Sequence, residues 1–342
     1  MAVAYYCDNQ KNMIKKGKIF ITSLIVSSNL LAQDPHFTQF YAAPLTINPA
    51  YAGKFDGAIR VMTNFRQQWA NLSSPITTSF ISVDGNVGTN YDYEHNTFNL
   101  GIQFMNDRTM KGAFRSNYIT ATGSYNILFN RVGFDSRSPG LKSLGLGYSV
   151  TYANRKLDYN SLSFEQQFTS GGFDLSLPNG EASLYNMRPF ITMGVGLLYT
   201  NDNTDEGSLF EIGVSAFNFN TPQQSILNDE NERLPIRLAA HTSFKYALSE
   251  YLTMHIKALY QKQAIVEYVL GGISLAKVLG DEDSGKSLGA GLWYRSGDAF
   301  SPHVFMELNN LKIGLNYDIT TSQLGRGQSP AKSYELSIQM KW

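Results

Sequence analysis

The last ten residues, Ser333-Tyr334-Glu335-Leu336-Ser337-Ile338-Gln339-Met340-Lys341-Trp342, decide the fold. Tyr334, Leu336, Ile338, Met340 and Trp342 are apolar, and they alternate with Ser333, Glu335, Ser337, Gln339 and Lys341. Successive side chains of a β-strand point to opposite faces, so period two separates one apolar face from one polar face. The stretch before it repeats the pattern, with Leu311, Ile313, Leu315, Tyr317 and Ile319 set against Asn310, Lys312, Gly314, Asn316 and Asp318. Farther back, Ile236, Leu238, Ala240, Phe244 and Tyr246 alternate with Arg237, Ala239, His241, Ser243 and Lys245. Leu252, Met254, Ile256 and Tyr260 are set against His255, Lys257 and Gln261. Helical periodicity is nearly absent beyond the N-terminus.

About fourteen such segments are predicted, over 58–69, 76–87, 96–107, 113–129, 141–156, 188–200 and 208–219, then 234–247, 251–262, 265–279, 286–297, 300–308, 310–320 and 331–342. Most run about 9 to 13 residues, where strands of soluble proteins average about 5 to 6 and a tilted membrane strand needs about 9 to 11. The fold class expected is therefore all-β, a transmembrane outer-membrane β-barrel of antiparallel strands. An even strand number and a chain end on an alternating strand agree. So do Trp69, Tyr199, Tyr251, Tyr260, Tyr294 and Trp342, which fall at strand ends where aromatic residues suit membrane interfaces. If the first strand runs outward, the long connections 157–187, 220–233 and 321–330 share one end, and the short joins 248–250, 280–285 and near Asn309 share the other. Residues 130–140 and the tight join from Lys262 to Ile265 depart from that rule.

Composition points the same way. Of 342 residues only 16% are charged, with 28 basic and 28 acidic, and 13% are aromatic. Soluble domains carry about 25% charge. A nucleic-acid binder needs clustered positive charge, which is lacking. A disordered chain needs low hydrophobicity and high net charge, and this chain has neither. A barrel needs apolar side chains only at alternate positions, so its mean hydropathy of −0.22 suits a membrane protein of this type.

The N-terminus reads differently. Lys15, Lys16 and Lys18 precede a short apolar core, Ile19 to Val26, and the run ends in Leu30-Leu31-Ala32. That is the pattern of a secretory signal peptide over 1–32, cut after Ala32, with Met13 as a possible true start. A buried N-terminal helix is the competing reading. Cys7 lies ahead of the apolar core, so it is no lipid acceptor at the cut, and the processed chain has no thiol. Removing 1–32 takes away four lysines and one aspartate, leaving 24 basic and 27 acidic residues, a net charge of −3.

Catalytic and metal signatures are sparse. The five histidines, at 36, 95, 241, 255 and 303, show no zinc-ligand spacing. His241 and His255 fall on polar strand faces, where lumenal hydrogen bonding is the expected role. No nucleophile-elbow or phosphate-loop motif occurs. Gly194 with Gly196, and Gly289 with Gly291, lie inside strands and are expected to relieve lumenal crowding. The acidic runs Asp202 to Gly207, Asn228 to Glu232 and Asp281 to Asp283 read as solvated turns; the first lacks the acidic last ligand of a calcium loop, having Gly213 there. No cofactor is expected. A rim enzyme built from Asp298, Ser301 and His303 is the one catalytic arrangement worth testing.

Residues 33–57 form an irregular segment ahead of a barrel spanning 58–342. It reads Gln33-Asp34-Pro35-His36-Phe37-Thr38-Gln39-Phe40-Tyr41-Ala42-Ala43-Pro44-Leu45-Thr46-Ile47-Asn48-Pro49-Ala50-Tyr51-Ala52-Gly53. Its prolines exclude a regular strand or helix. Its apolar residues are too many for a free tail, so burial at the periplasmic mouth or in the lumen is expected.

This segment, with Phe65-Arg66-Gln67-Gln68-Trp69 and Ser82-Val83-Asp84, resembles the PorP/SprF family of the type IX secretion and gliding machinery of Bacteroidetes. The family pattern Q-D-x-x-F-x-Q-F-Y is met by Gln33, Asp34, Phe37, Gln39, Phe40 and Tyr41. P-L is met by Pro44 and Leu45, and N-P-A-x-A-G by Asn48, Pro49, Ala50 and Gly53. The R-x-Q-W piece is met by Arg66, Gln68 and Trp69, and S-x-D ends on Asp84. The C-terminal strand, Tyr334 to Trp342, also looks like the family's insertion strand.

The resemblance implies a non-enzymatic barrel in the bacterial outer membrane. Its expected partners are secreted cargo proteins, including adhesins with type B C-terminal domains, other type IX secretion components of the periplasm, and outer-membrane lipid, with no nucleic acid. The motif residues are candidate partner contacts. A general diffusion porin or small-solute transporter is the alternative.

Overall fold

The computed structural model describes residues 34–342 except 88–95, 130–140, 179, 181–187, 204–206, 225–231, 281–283 and 323–329. Fourteen long antiparallel strands close into one barrel. In chain order they are β1 (Ile59–Gln68), β2 (Ile76–Asn86), β3 (Thr97–Thr109), β4 (Phe114–Leu128) and β5 (Leu141–Leu157), then β8 (Phe190–Asn203), β9 (Ser208–Phe217) and β10 (Arg237–Ser249). β11 (Leu252–Gln263), β12 (Val266–Val278), β13 (Lys286–Arg295), β14 (Ala299–Leu308), β15 (Leu311–Thr320) and β16 (Lys332–Lys341) complete the wall. Two short strands, β6 (Phe168–Thr169) and β7 (Gly172–Phe173), form a hairpin within the connection 158–189. Every wall strand pairs with its sequence neighbours, and β16 closes on β1 with Arg60 opposite Lys341 and Gln67 opposite Tyr334. Closure leaves no unpaired edge, which is the condition for strands to cross hydrocarbon.

All fourteen predicted segments are strands, with ends displaced by three residues at most. The alternation decides which face looks out. On β16, Tyr334, Leu336, Ile338 and Met340 are exposed on the outer surface while Ser333, Glu335 and Ser337 are buried inside. On β13, Leu288, Leu292 and Tyr294 face out, and Trp293 and Arg295 face in. The exposed bands of Leu, Ile, Val and Phe would be a gross defect in water and are what a hydrocarbon environment requires. Tyr251, Tyr260, Tyr294 and Trp342 are exposed near strand ends, in the interface positions expected of them.

The two ends of the barrel differ. One, the loop end, carries 158–189, 218–236 and 321–331. The other, the turn end, carries the two-residue joins 250–251 and 309–310 together with the start of β1 and the end of β16. Asn309 turns the chain with φ of 52°. The tight Ala264–Ile265 join sits at the loop end, where Ala264 takes φ of 53°. The acidic runs Asn228–Glu232 and Asp281–Asp283 fall mostly or wholly outside the described residues.

Residues 35–53 lie inside the barrel. Of the two expected sites, mouth and lumen, the lumen is the one occupied. The prolines do not leave the segment wholly irregular: they start single-turn 3-10 helices, Pro44–Thr46 and Pro49–Tyr51, which follow a first turn at Phe40–Ala42. Proline suits a first helical position because its missing N–H would have no partner there. Two apolar clusters hold the segment to the wall. Phe37, Ala42 and Ala43 pack with Met62, Phe80, Met105 and Tyr118. Phe40 and Ile47 pack with Ala239, Leu259, Leu270 and Trp293. Burying Phe37, Phe40, Leu45 and Ile47 contributes roughly 6–12 kcal/mol at about 1.5–3 kcal/mol each.

Candidate functional site: the lumenal segment and its seat

The segment begins at the loop end. Arg66 near the end of β1, Arg295 at the end of β13, Asp318 near the end of β15 and Glu335 near the start of β16 converge there, all buried. Glu335 accepts from the backbone N–H of Thr38 and of Gln39, each at 2.8 Å, and from Asn64 Nδ2 at 2.9 Å. Gln39 answers with its side chain, donating to the Glu335 carbonyl at 3.2 Å and accepting from Ser337 Oγ at 2.6 Å. Arg66 donates to the His36 carbonyl at 2.6 Å and to Asp318 at 3.1 Å. Arg295 donates to Thr38 Oγ1 at 2.7 Å and to Asp318 at 2.9 Å. Two guanidinium groups thus face two carboxylates, with Asp298 also on Arg295, and the segment's backbone fills much of what the ions leave over, though Arg66 Nε makes no hydrogen bond. A buried ion set of this kind is stable only when most of its remaining donors and acceptors are filled.

Midway, Tyr41 donates to or accepts from His303 Nε2 at 3.1 Å, and the Lys257 ammonium stands 4.5 Å from the Tyr41 ring centroid. Phe40 meets Trp293 edge to face at 5.9 Å.

The N-P-A piece has a seat of its own. Asn48 Nδ2 donates to the wall carbonyl of Leu197 at 2.8 Å and lies 3.3 Å from that of Val214. Its Oδ1 accepts from Ala50 N at 2.9 Å and so caps the turn that Pro49 starts. Ala50 is wholly buried, because wall glycines let it approach. A Cβ on Gly147 would stand 2.1 Å from Ala50 N, and one on Gly196 2.0 Å from Asn48 Oδ1. The segment ends at the turn end. Gly53, with φ of 66°, donates its N–H to Asp84 at 2.8 Å, and Arg60 grips the same carboxylate at 3.0 and 2.7 Å. Residues 35–53 therefore cross the lumen from loop end to turn end before β1 climbs back.

The family-motif residues are thus brought together. Phe37, Gln39, Phe40, Leu45, Asn48, Pro49 and Ala50 are buried between segment and wall, with Tyr41 half-buried, and Arg66 and Asp84 are their wall partners. In this arrangement they face the barrel interior and not a surface open to a second protein. Gln33 lies outside the described residues, and Asp34 is the first described one. Gln68 ends β1 at the loop end, and Trp69, just beyond it, takes φ of 55° and donates its N–H to Ser333 Oγ at 3.2 Å. Tyr334, Leu336, Ile338, Met340 and Trp342 are exposed on the outer face.

The wall partners Glu335, Asp318, Arg295 and His241 carried no distinguishing signal in sequence beyond lying on polar strand faces. The glycines expected to relieve crowding, at 194, 196, 289 and 291, do stand where a Cβ would meet a neighbour at 2.0–2.6 Å, whereas Gly145 and Gly147 carried no separate signal in sequence. The suggested rim trio does not assemble: Asp298 pairs with Arg295 at 2.6 Å, Ser301 donates to Asp318 at 2.7 Å, and His303 meets Tyr41. Among the described residues no group of His, Cys, Asp or Glu could hold a metal ion.

Solved outer-membrane barrels match the chain at low identity and with TM-scores below 0.5. The TodX deltaS2S3 mutant monoaromatic hydrocarbon channel matches at 10% identity and a TM-score of 0.45, covering 87% of this chain and 92% of its own. The KdgM porin in complex with disordered oligogalacturonate matches at 9% identity and 0.36, covering 83% and 99%. The translocator domain of autotransporter NalP from Neisseria meningitidis matches at 10% and 0.39, covering both chains fully. No curated protein matches the chain. A family profile described as "Type IX secretion system membrane protein PorP/SprF" matches residues 29–340, nearly the whole length, so the chain belongs to the PorP/SprF family of type IX secretion system membrane proteins.

Proposed function

We propose that this chain is a closed, non-enzymatic barrel of the outer membrane that serves secretion or surface attachment of cargo proteins. Residues 1–32 act as a cleaved leader, and the turn end faces the periplasm, since short turns there and longer loops outside are the rule for such barrels. Secreted cargo, including adhesins with type B C-terminal domains, meets the long connections of the loop end, and periplasmic components of the secretion system meet the turn end.

The observation that carries this reading is the seated segment. A diffusion pore needs an open lumen, whereas here residues 35–53 are fastened to the wall at both ends and in the middle. Deletion of 33–53 tests the proposal in cells and in planar bilayers. With insertion verified by heat-modifiable migration, the expected outcome is loss of cargo from the cell surface together with a gain in conductance. Normal display in the deletion strain, or open-pore conductance by the unaltered protein, overturns it.

A further inference from the structure

Between the segment and the wall, at the turn end, lies a cavity of about 320 Å³. Its roof is Tyr41 and His303, and it opens among the ends of β10, β14 and β16 and the starts of β11 and β15. Lys54, Arg60, Lys245, Lys257, Lys312 and Lys341 line it, against the two carboxylates Glu211 and Glu307. Arg60 is committed to Asp84, and Lys312 to Glu307 at 2.5 Å. Lys54 donates to Ser143 Oγ, and Lys257 stands over the Tyr41 ring. Lys245 and Lys341 have no carboxylate within ion-pair distance among the described residues, and neither does Lys257. Within the lining, Glu211 is the one carboxylate not already paired with a lysine, against the ammonium groups of Lys54, Lys245, Lys257 and Lys341; Asp202 and Asp56 stand beyond the lining, on the side of Lys54 and Lys341.

Such a surplus inside a low-dielectric wall raises the local concentration of anions and holds them. The rest of the lining is mixed: Ile47, Leu209 and Leu311 contribute apolar surface beside Tyr41. A bare inorganic anion gains nothing from that surface, while a short hydrocarbon skeleton does.

We infer that this vestibule is a binding site for a small organic polyanion, a di- or tricarboxylate, reached from the turn end. Lysine ammonium groups act there as point charges that can follow carboxylates on a flexible skeleton. Tyr41, fixed by His303, makes the closed wall of the site, so the ligand enters and leaves by one mouth.

The test uses the full chain in detergent, titrated with citrate by calorimetry at low ionic strength. The expected result is one saturable site, weakened by added salt. Lys245→Gln with Lys341→Gln at the mouth, which leave the segment's seat untouched, should weaken it by about tenfold or more, as should Lys257→Gln alone. Unchanged melting of each variant shows that folding is intact, and the mouth variant keeps the test usable should Lys257→Gln fail to fold. Absence of saturable citrate binding, or equal affinity in the mouth variant, overturns the site. Binding of pyrophosphate as tight as that of citrate overturns the carboxylate assignment, because charge alone would then suffice.

Discussion

Glu335→Gln should unseat the lumenal segment without unfolding the barrel. The carboxylate accepts three hydrogen bonds, from Thr38 N–H, Gln39 N–H and Asn64 Nδ2, and lies 3.7 Å from Arg66 Nε. An amide replaces one accepting oxygen by a donor, so at least one buried N–H loses its partner, at about 1–3 kcal/mol. Arg66 then keeps only Asp318, which it shares with Arg295 while Arg295 also holds Asp298, and loss of one partner from a buried ion cluster costs up to about 3–5 kcal/mol. The two losses together, about 4–8 kcal/mol, are comparable with the roughly 6–12 kcal/mol that the segment's four main apolar side chains contribute. A loss of about 4 kcal/mol already lowers the seated population roughly a thousandfold relative to the open one. The pairing of β16 with β1 and β15 runs through main-chain atoms and survives the substitution.

Two assays read this out. In planar bilayers the variant should show open events that the parent lacks. In a Cys7→Ser background carrying Ala43→Cys, a residue wholly buried in the seated segment, maleimide should label the variant and spare the parent. Closed-state conductance and an unlabelled thiol in a variant that migrates as a folded barrel would refute the view that this ion cluster holds the segment.

Gly147→Ala puts a methyl about where Ala50 N sits and should release the segment with the same two readouts, whereas Gly123→Ala, whose new carbon would meet only Leu100 Cδ2 at 3.8 Å, should leave both assays unchanged. Leu336→Arg places a charge on the lipid face at mid-strand, costing about 2–4 kcal/mol there, and should lower the heat-modifiable fraction in outer-membrane preparations while sparing the lumenal seat.

Much of this protein was legible along the chain. Each strand announces itself because its side chains alternate between lipid and lumen, and that pattern is local: Tyr334 to Trp342 needs no knowledge of the rest to be read. The burial of 35–53 was legible too, since Phe37, Phe40, Leu45 and Ile47 cannot stay in water and Pro44 and Pro49 cannot join a sheet. What could not be read is where the segment goes. Thr38 and Glu335 are 297 positions apart, and Asn48 meets carbonyls 149 and 166 residues away. Nothing in the polar face of β16 marks Glu335 as different from Gln339.

Sequence by itself determined the barrel, because alternation at period two and strand length are properties of single segments. Only the tertiary structure decided that the N-terminal motif closes the lumen from within. Barrel closure alone brings Arg66, Arg295, Asp318 and Glu335 to one end, and the glycine-lined wall to the height at which Asn48 and Ala50 can seat.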